Sequence, residues 1–188
     1  VVMERRIKKL KTEKELKIFM DPLRQRMLRT MEILSVPVTP KKLADVMAIT
    51  PSSAKHHLTQ LESIGLVTMD HTEQIHGITA TFYKTLPMEV HIGLDESEYA
   101  DERGIIAENL LMSVYAGFRG KIKGRNAQPP FRGEMLTGVI HLTQEQADKL
   151  HDMIRRFIRE NETPSAGTIP FEYALILYNA GAANEKSL

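Results

Sequence analysis

At 188 residues, 42% of them hydrophobic and 26% charged, the chain is long enough for one large or two small domains. It has no cysteine, which excludes disulfides and thiolate metal centres and fits a reducing interior. A net charge of +1 hides a division: residues 1–86 carry 14 Lys+Arg against 9 Asp+Glu (+5), and residues 87–188 carry 11 against 15 (−4).

The opening stretch "VVMERRIKKLKTEKELKIFM" is strongly basic and reads as a helix. Leu10, Leu16, Phe19 and Met20 mark parts of an apolar stripe, so the segment either packs against a partner subunit or frays as a solvated arm. It lacks the apolar core of a signal peptide, and no run in the chain reaches membrane-spanning length. The expected compartment is therefore the cytoplasm, with no membrane partner.

Two short helices follow back to back, "VTPKKLADVMA" and "ITPSSAKHHLTQLESIGL". Thr39 and Thr50 each precede a proline, Pro40 and Pro51, which is a hydroxyl N-cap followed by a residue whose φ is already helical. Leu43, Val46 and Met47 share one face of the first helix, and Ala54, Leu58, Leu61 and Ile64 share one face of the second. Gly65 supplies the C′ position, and Leu66 and Val67 lead into a strand. A linker of only a few residues fits a helix-turn-helix, whose second helix fits the major groove of DNA.

With the apolar stripe removed, the second helix presents Ser52, Ser53, Lys55, His56, Thr59 and Gln60. These hydroxyls, ammonium, imidazole and amide can donate to phosphates, and several can read base edges. Glu62 is its one carboxylate; a plain solvated helix face, the alternative, would mix Glu and Lys more evenly. Lys41 and Lys42, at the start of the preceding helix, complete the expected DNA-contacting set there.

A strand–turn–strand pattern, "VTMDHTEQIHGITATFYKTL", comes next. Val67, Met69, Ile78, Ala80 and Phe82 alternate with polar residues, and "DHTEQIHG" between them ends at Gly77, a turn or bulge. The hairpin is a wing whose Thr72, Gln74 and His76 are candidates for backbone or minor-groove contact. With no Arg or Lys at the tip, a purely structural hairpin is the alternative.

The run "FMDPLRQRMLRTMEIL…VTPKKLADVMAITPSSAKHHLTQLESIGLV" resembles the ArsR-type winged-helix regulators of bacteria and archaea, across about residues 15–86. Asp21, Pro22, Arg24 and Leu28 match that family's opening helix. Leu43, Ala44, Ser52, His56, His57, Leu58, Leu61, Gly65, Leu66 and Val67 match the remainder. The resemblance implies that residues 52–60 enter the major groove and that a homodimer binds a palindromic operator in double-stranded DNA. Two features depart from the pattern. Thiol-based metal sensing is excluded without cysteine, and "HGITATFY" replaces the family's "GR…YY" wing, so no wing arginine contact carries over.

Pro87 opens the second half, residues 87–188, expected to be a dimerisation or effector domain. A long helix is predicted from about Glu98 to Arg119, with its polar residues confined to an arc of roughly 140°. So wide an apolar surface suggests burial on two sides, one against a second subunit through Ile105, Leu111, Met112, Tyr115 and Phe118. A central helix buried in a monomer is the alternative. After the break "GRNAQPPFRG" a strand–helix–strand unit is predicted: "EMLTGVIHL", a helix capped by Thr143 with Gln146 three residues on, and "PFEYALILYN". Ala147, Leu150, Ile154, Phe157 and Ile158 form the helix stripe.

The expected fold class is α+β: an N-terminal winged helix-turn-helix (1–86), then a long helix and a small strand–helix–strand domain (87–188). No catalytic constellation, cofactor motif or metal site is found. "GFRGKIKG" at 117–124 lacks the spacing and hydroxyl of a phosphate loop. Asp148, His151 and Asp152 read better as exposed helix residues than as ligands, and His141 and the His71/His76 pair lack convergent partners. The chain reads as a non-enzymatic, sequence-specific transcriptional regulator, a dimeric repressor with an unknown small-molecule effector possible. A non-thiol metal sensor and a winged helix serving protein contacts are the alternatives.

Overall fold

The computed structural model describes residues 6–86, 88–94, 96–123 and 133–181. Pro87 and most of the "GRNAQPPFRG" break lie outside these residues. Among the described residues the elements in chain order are β1 (Arg6–Lys9), α1 (Glu13–Met20), α2 (Pro22–Leu34), α3 (Pro40–Met47), α4 (Pro51–Ser63), β2 (Val67–Ile75), β3 (Ile78–Thr85), β4 (Met88–His91), α5 (Ala100–Lys123) and α6 (Gln144–Asn161). The mixture is α+β, with a helix-turn-helix and wing followed by a long helix and a C-terminal helix, in line with the expected class.

The helix boundaries follow from their caps. Thr12 and Glu15 form a reciprocal capping box at α1. Asp21 accepts from the amides of Leu23 (2.9 Å) and Arg24 (3.1 Å), with Pro22 in the first turn of α2. The Arg24 guanidinium then turns back to donate to the carbonyls of Lys17 and Ile18, closing the end of α1. This gives the Asp-Pro-x-Arg run a physical role: one carboxylate starts a helix and one guanidinium finishes the helix before it. Thr39 and Thr50 cap α3 and α4 as their sequences require.

The end of α4 is a Schellman motif. The Gly65 amide donates to Glu62 O (3.0 Å), the Leu66 amide donates to Leu61 O (3.1 Å), and Gly65 sits at φ +74°. By contrast α3 ends on Ala48 at φ 54°, a left-handed position taken without glycine's freedom.

One core serves the N-terminal elements. Leu16, Phe19, Met27, Met31, Leu43, Ala44, Ala54, Leu58, Leu61, Leu66 and Val67 are buried together, and Ile106 of α5 joins them. Val46, expected on the apolar face of α3, is exposed, because Leu43 and Ala44 already fill the space facing α4.

The basic N-terminus departs from its predicted helix. Arg6–Lys9 is a strand, paired in parallel with β4 from Arg6↔Met88 to Lys9↔His91. A parallel pair needs a crossover between its strands, and here the crossover is the whole winged helix. Such a partner, some eighty residues away, leaves no local signature. Leu10 follows, buried, and its amide donates to His91 O at 3.1 Å.

Arg103 locks this sheet to α5. It is 1% exposed and its fork reaches the carbonyls of Glu98 (2.9 Å), Leu10 (3.2 Å) and Ile92, with Glu96 as ion partner at 2.8 Å. Gly93 (φ +69°) makes room: a Cβ there would lie 2.9 Å from the Arg103 Nη1 and 2.8 Å from Glu96 Oε1. The predicted long helix is present but shifted, starting at Ala100 and running to Lys123. "GFRGKIK" lies within it as helix, not as a loop.

The strand–helix–strand unit is present only in its helix. Thr143 and Gln146 form the capping box of α6 as expected. Residues 134–142 and 170–179, expected as strands, join no ladder among the described residues. A strand requires a neighbouring backbone to bond with, and neither segment is paired with one among the described residues. The stripe of α6 is half-buried at Ala147, Leu150, Ile154 and Ile158, while Phe157 is exposed.

Candidate nucleic-acid interface

The solvent face of α4 follows from its buried face. Ala54, Leu58 and Leu61 are completely buried, and this periodicity turns Ser52, Lys55, His56 and Thr59 outward, with Ser53 and Gln60 half-buried at the flanks. Neither α3 nor α4 has an acidic residue in its first turn, so both helix N-termini present partial positive charge without an intramolecular anion. Lys41 and Lys42 are exposed at the start of α3; Lys41 reaches Asp45 at 3.4 Å, a solvent-screened pair worth little.

Individual residues on this face are less uniform than their sequence suggests. The Lys55 ammonium donates to the Tyr83 hydroxyl and lies 4.6 Å from the centre of the Tyr83 ring. Thr59 donates to Lys55 O within its own helix at 3.0 Å. His56 is exposed, and its ring stands edge-on to His57 at 5.3 Å. His57 lies on the flank, where Arg24 Nη1 is 3.4 Å from its Nδ1; burial and then the Arg24 charge lower its pKa, against an opposing pull from Asp21. His57 thus supports α4 from behind, at the edge expected for it.

Tyr83 is the residue that sequence reading missed. It is buried, and it exchanges two backbone bonds of 2.8 Å with Val38, tying the wing to the chain entering α3. The alternation expected for β3 had placed Phe82 inward; Tyr83 takes that position, while Phe82 is half-buried and stacks on the His71 ring at 4.4 Å. Met69, also expected inward, is 53% exposed. Tyr83 is fixed by its backbone bridge to Val38, and on β2 a register shift between Met69 and His71 leaves Asp70 as an extra residue that reverses the facing of the β2 residues beyond it. The adjacent polar run gave no hint of it.

The hairpin is longer and its turn tighter than expected. Strand pairing runs from Val67↔Thr85 to Ile75↔Ile78, leaving His76 (φ 49°) and Gly77 (φ 78°) as a two-residue turn. Thr72 and Gln74 therefore sit on β2 and not in a loop; both are exposed, and Gln74 donates to the Thr79 hydroxyl at 2.7 Å. His76 is exposed at the turn itself. At the bulge, Asp70 binds Lys84 (2.7 Å) and His71 Nδ1 (2.6 Å), which hold its carboxyl below its usual range.

The α5 residues expected at a subunit contact fall on its outer side. Ile105, Leu111, Met112 and Tyr115 are exposed and Phe118 is half-buried, whereas Arg103 and Ile106 face inward. Asn109 donates to Met20 O at 3.3 Å, fixing α5 on the α1–α2 corner. No group of three or more His, Asp or Glu that could hold a metal occurs among the described residues. None of the described helices is long and apolar enough to cross a membrane.

Two helices joined by a three-residue turn, followed by a hairpin that packs beside the second, define a winged helix-turn-helix. Residues 19–70 match the protein-family model described as a helix-turn-helix domain. The matched region runs from the end of α1 into β2 and includes all of α4. It supports DNA binding and transcription regulation as the work of this region. No significant match is found among curated protein sequences.

Proposed function

We propose that the chain is a sequence-specific transcriptional regulator of the ArsR-like type that binds a palindromic operator as a homodimer in the cytoplasm and represses. The observation that carries this reading is the outer face of α4, where Ser52, Ser53, Lys55, His56, Thr59 and Gln60 gather with no acidic residue in the first turn. Docked in the major groove, Ser52 and Ser53 would meet phosphate at the helix N-terminus, and His56 and Gln60 would reach base edges. Lys41 and Lys42 would add phosphate contacts from α3, and Thr72, Gln74 and His76 would follow the backbone from the wing. The outer face of α5 (Ile105, Leu111, Met112, Tyr115, Phe118) would meet the second subunit. Residues 87–188 would carry control, with any effector acting on the spacing of two α4 helices.

The test is selection of bound duplexes from a random pool by the purified full chain at moderate salt. The expected result is an enriched palindrome whose half-sites lie about one helical turn apart. His56→Ala and Gln60→Ala should relax preference at particular positions, costing about 1–3 kcal/mol each at the preferred base. Absence of any enriched sequence across salt concentrations would overturn the reading and favour a winged helix that contacts protein.

A further inference from the structure

The C-terminal third holds two apolar segments that belong to no sheet among the described residues. Residues 134–142 and 170–178 have the composition of strands, yet neither joins a ladder among the described residues. Their apolar side chains stand in solvent: Leu136 is 84% exposed, Val139 78%, Ile176 68% and Tyr178 76%. The second segment is nevertheless held in place. Glu172 pairs with Arg29 of α2, and Gly117 of α5 permits their approach, since a Cβ there would lie 2.9 Å from Glu172 Oε2. Residues 173–177 also run beside the Leu150, Ile154 and Ile158 stripe of α6, lining an open cleft of ≈ 370 Å³.

We propose that these two segments pair with those of a second copy of the chain, forming one sheet shared by two subunits and covered by both α6 helices. The inference rests on the homodimer reading and assigns it a second, larger interface beyond α5. Three observations select a second copy as the occupant. The first is surface: the chain exposes 14521 Å², where a compact monomer of its size exposes about 9,000 Å². The second is area: at roughly 100 Å² per side chain, the exposed apolar residues of the two segments and α6 offer on the order of 1,400 Å² per chain, above the ~800 Å² per partner of a stable interface. The third is charge: with Glu172 neutralised by Arg29, residues 169–178 carry no unpaired charge, so like segments can meet without repulsion. Backbone pairing would also satisfy two rows of amides that a wholly apolar contact would leave to water.

The experiment combines sedimentation velocity over a wide concentration range with amide hydrogen exchange of the full chain at the same concentrations. The expected result is a dimer in which residues 135–142 and 170–178 are protected, with that protection lost on dilution to monomer. Ile176→Lys should weaken self-association about 100-fold or more, because it buries an unpaired ammonium, while protection in α1–α4 persists and certifies folding. A dimer whose two segments exchange at unstructured rates would overturn the shared sheet and leave the dimer reading standing. Protection retained in the diluted monomer would show that the sheet closes within one chain, and would also overturn it. A wild-type chain that stays monomeric at every concentration would overturn both readings.

Discussion

Replacing Arg103 by Met tests how the winged helix is attached to α5. The substitution keeps most of the aliphatic stem and removes the fork, leaving the carbonyls of Leu10, Ile92 and Glu98 without that donor. An orphaned buried acceptor costs about 1–3 kcal/mol, and three at the low end give about 3 kcal/mol. The Glu96 pair adds little, because that carboxylate is 51% exposed and falls back on water. A loss of about 3 kcal/mol is roughly a hundredfold in the unfolding equilibrium. Urea denaturation followed by far-UV circular dichroism reads it, the chain having no tryptophan to report fluorescence. Hydrogen exchange should localise the damage to the β1–β4 pair and the first turns of α5. Arg103→Lys should fall between, since an ammonium lacks the planar fork that serves several carbonyls at once. If Arg103→Met lies within about 0.5 kcal/mol of the wild type, the carbonyls find other donors and the clamp described here does not exist.

Three further outcomes are expected. Ala48→Gly should stabilise the fold by about 0.5–1 kcal/mol, because Ala48 takes a left-handed conformation (φ 54°) that costs an L-residue with a Cβ; a thermal melt shifted downward would contradict this. Glu15 is held at about 2, against an ordinary 4.5, chiefly by its hydrogen bond from Lys8 and then, against the burial penalty, by the Lys11 and Thr12 amides. A depressed carboxyl contributes stability above pH 4.5 that is lost as pH falls toward 2, so the protection of the β1 amides relative to unstructured peptide should fall in that window and Glu15→Gln should flatten the dependence. Lys42→Ala should weaken DNA binding evenly across sequences and reduce the slope of log affinity against log salt by about 0.9, one phosphate contact; an unchanged slope removes Lys42 from the interface.

The parts of this fold legible in the sequence are those fixed within a few residues. Thr39–Pro40, Thr50–Pro51 and Thr143 with Gln146 each mark a helix start by local hydrogen-bond chemistry, and Gly65 marks an end by its φ. The parts misread depend on distant partners. Arg6–Lys9 carries three basic residues and one apolar residue that suit a helix equally well, and only β4 makes it a strand. The extra residue at Asp70 shifts the facing of β2 by one position, and nothing in "TMDHTEQ" announces which residue will be the unpaired one.

The candidate site shows the same division at the level of single side chains. Periodicity on α4 correctly separated the buried Ala54, Leu58 and Leu61 from the outward Ser52, Lys55, His56 and Thr59, because a helix wheel needs only local geometry. It could not foresee that the Lys55 ammonium lies on Tyr83, twenty-eight positions away, whose own position follows from its bridge to Val38. That contact changes what Lys55 can do. To reach a phosphate its ammonium must leave a ring and a hydroxyl, so part of any gain on DNA is spent in the free protein. Tyr83→Phe keeps the ring and removes the hydroxyl, which frees the ammonium without unpacking the wing. It should therefore strengthen DNA binding several-fold at low salt, an effect absent in the Lys55→Ala background. Equal effects of Tyr83→Phe in both backgrounds would mean that Tyr83 acts through wing packing alone, and that Lys55 approaches DNA unhindered or not at all.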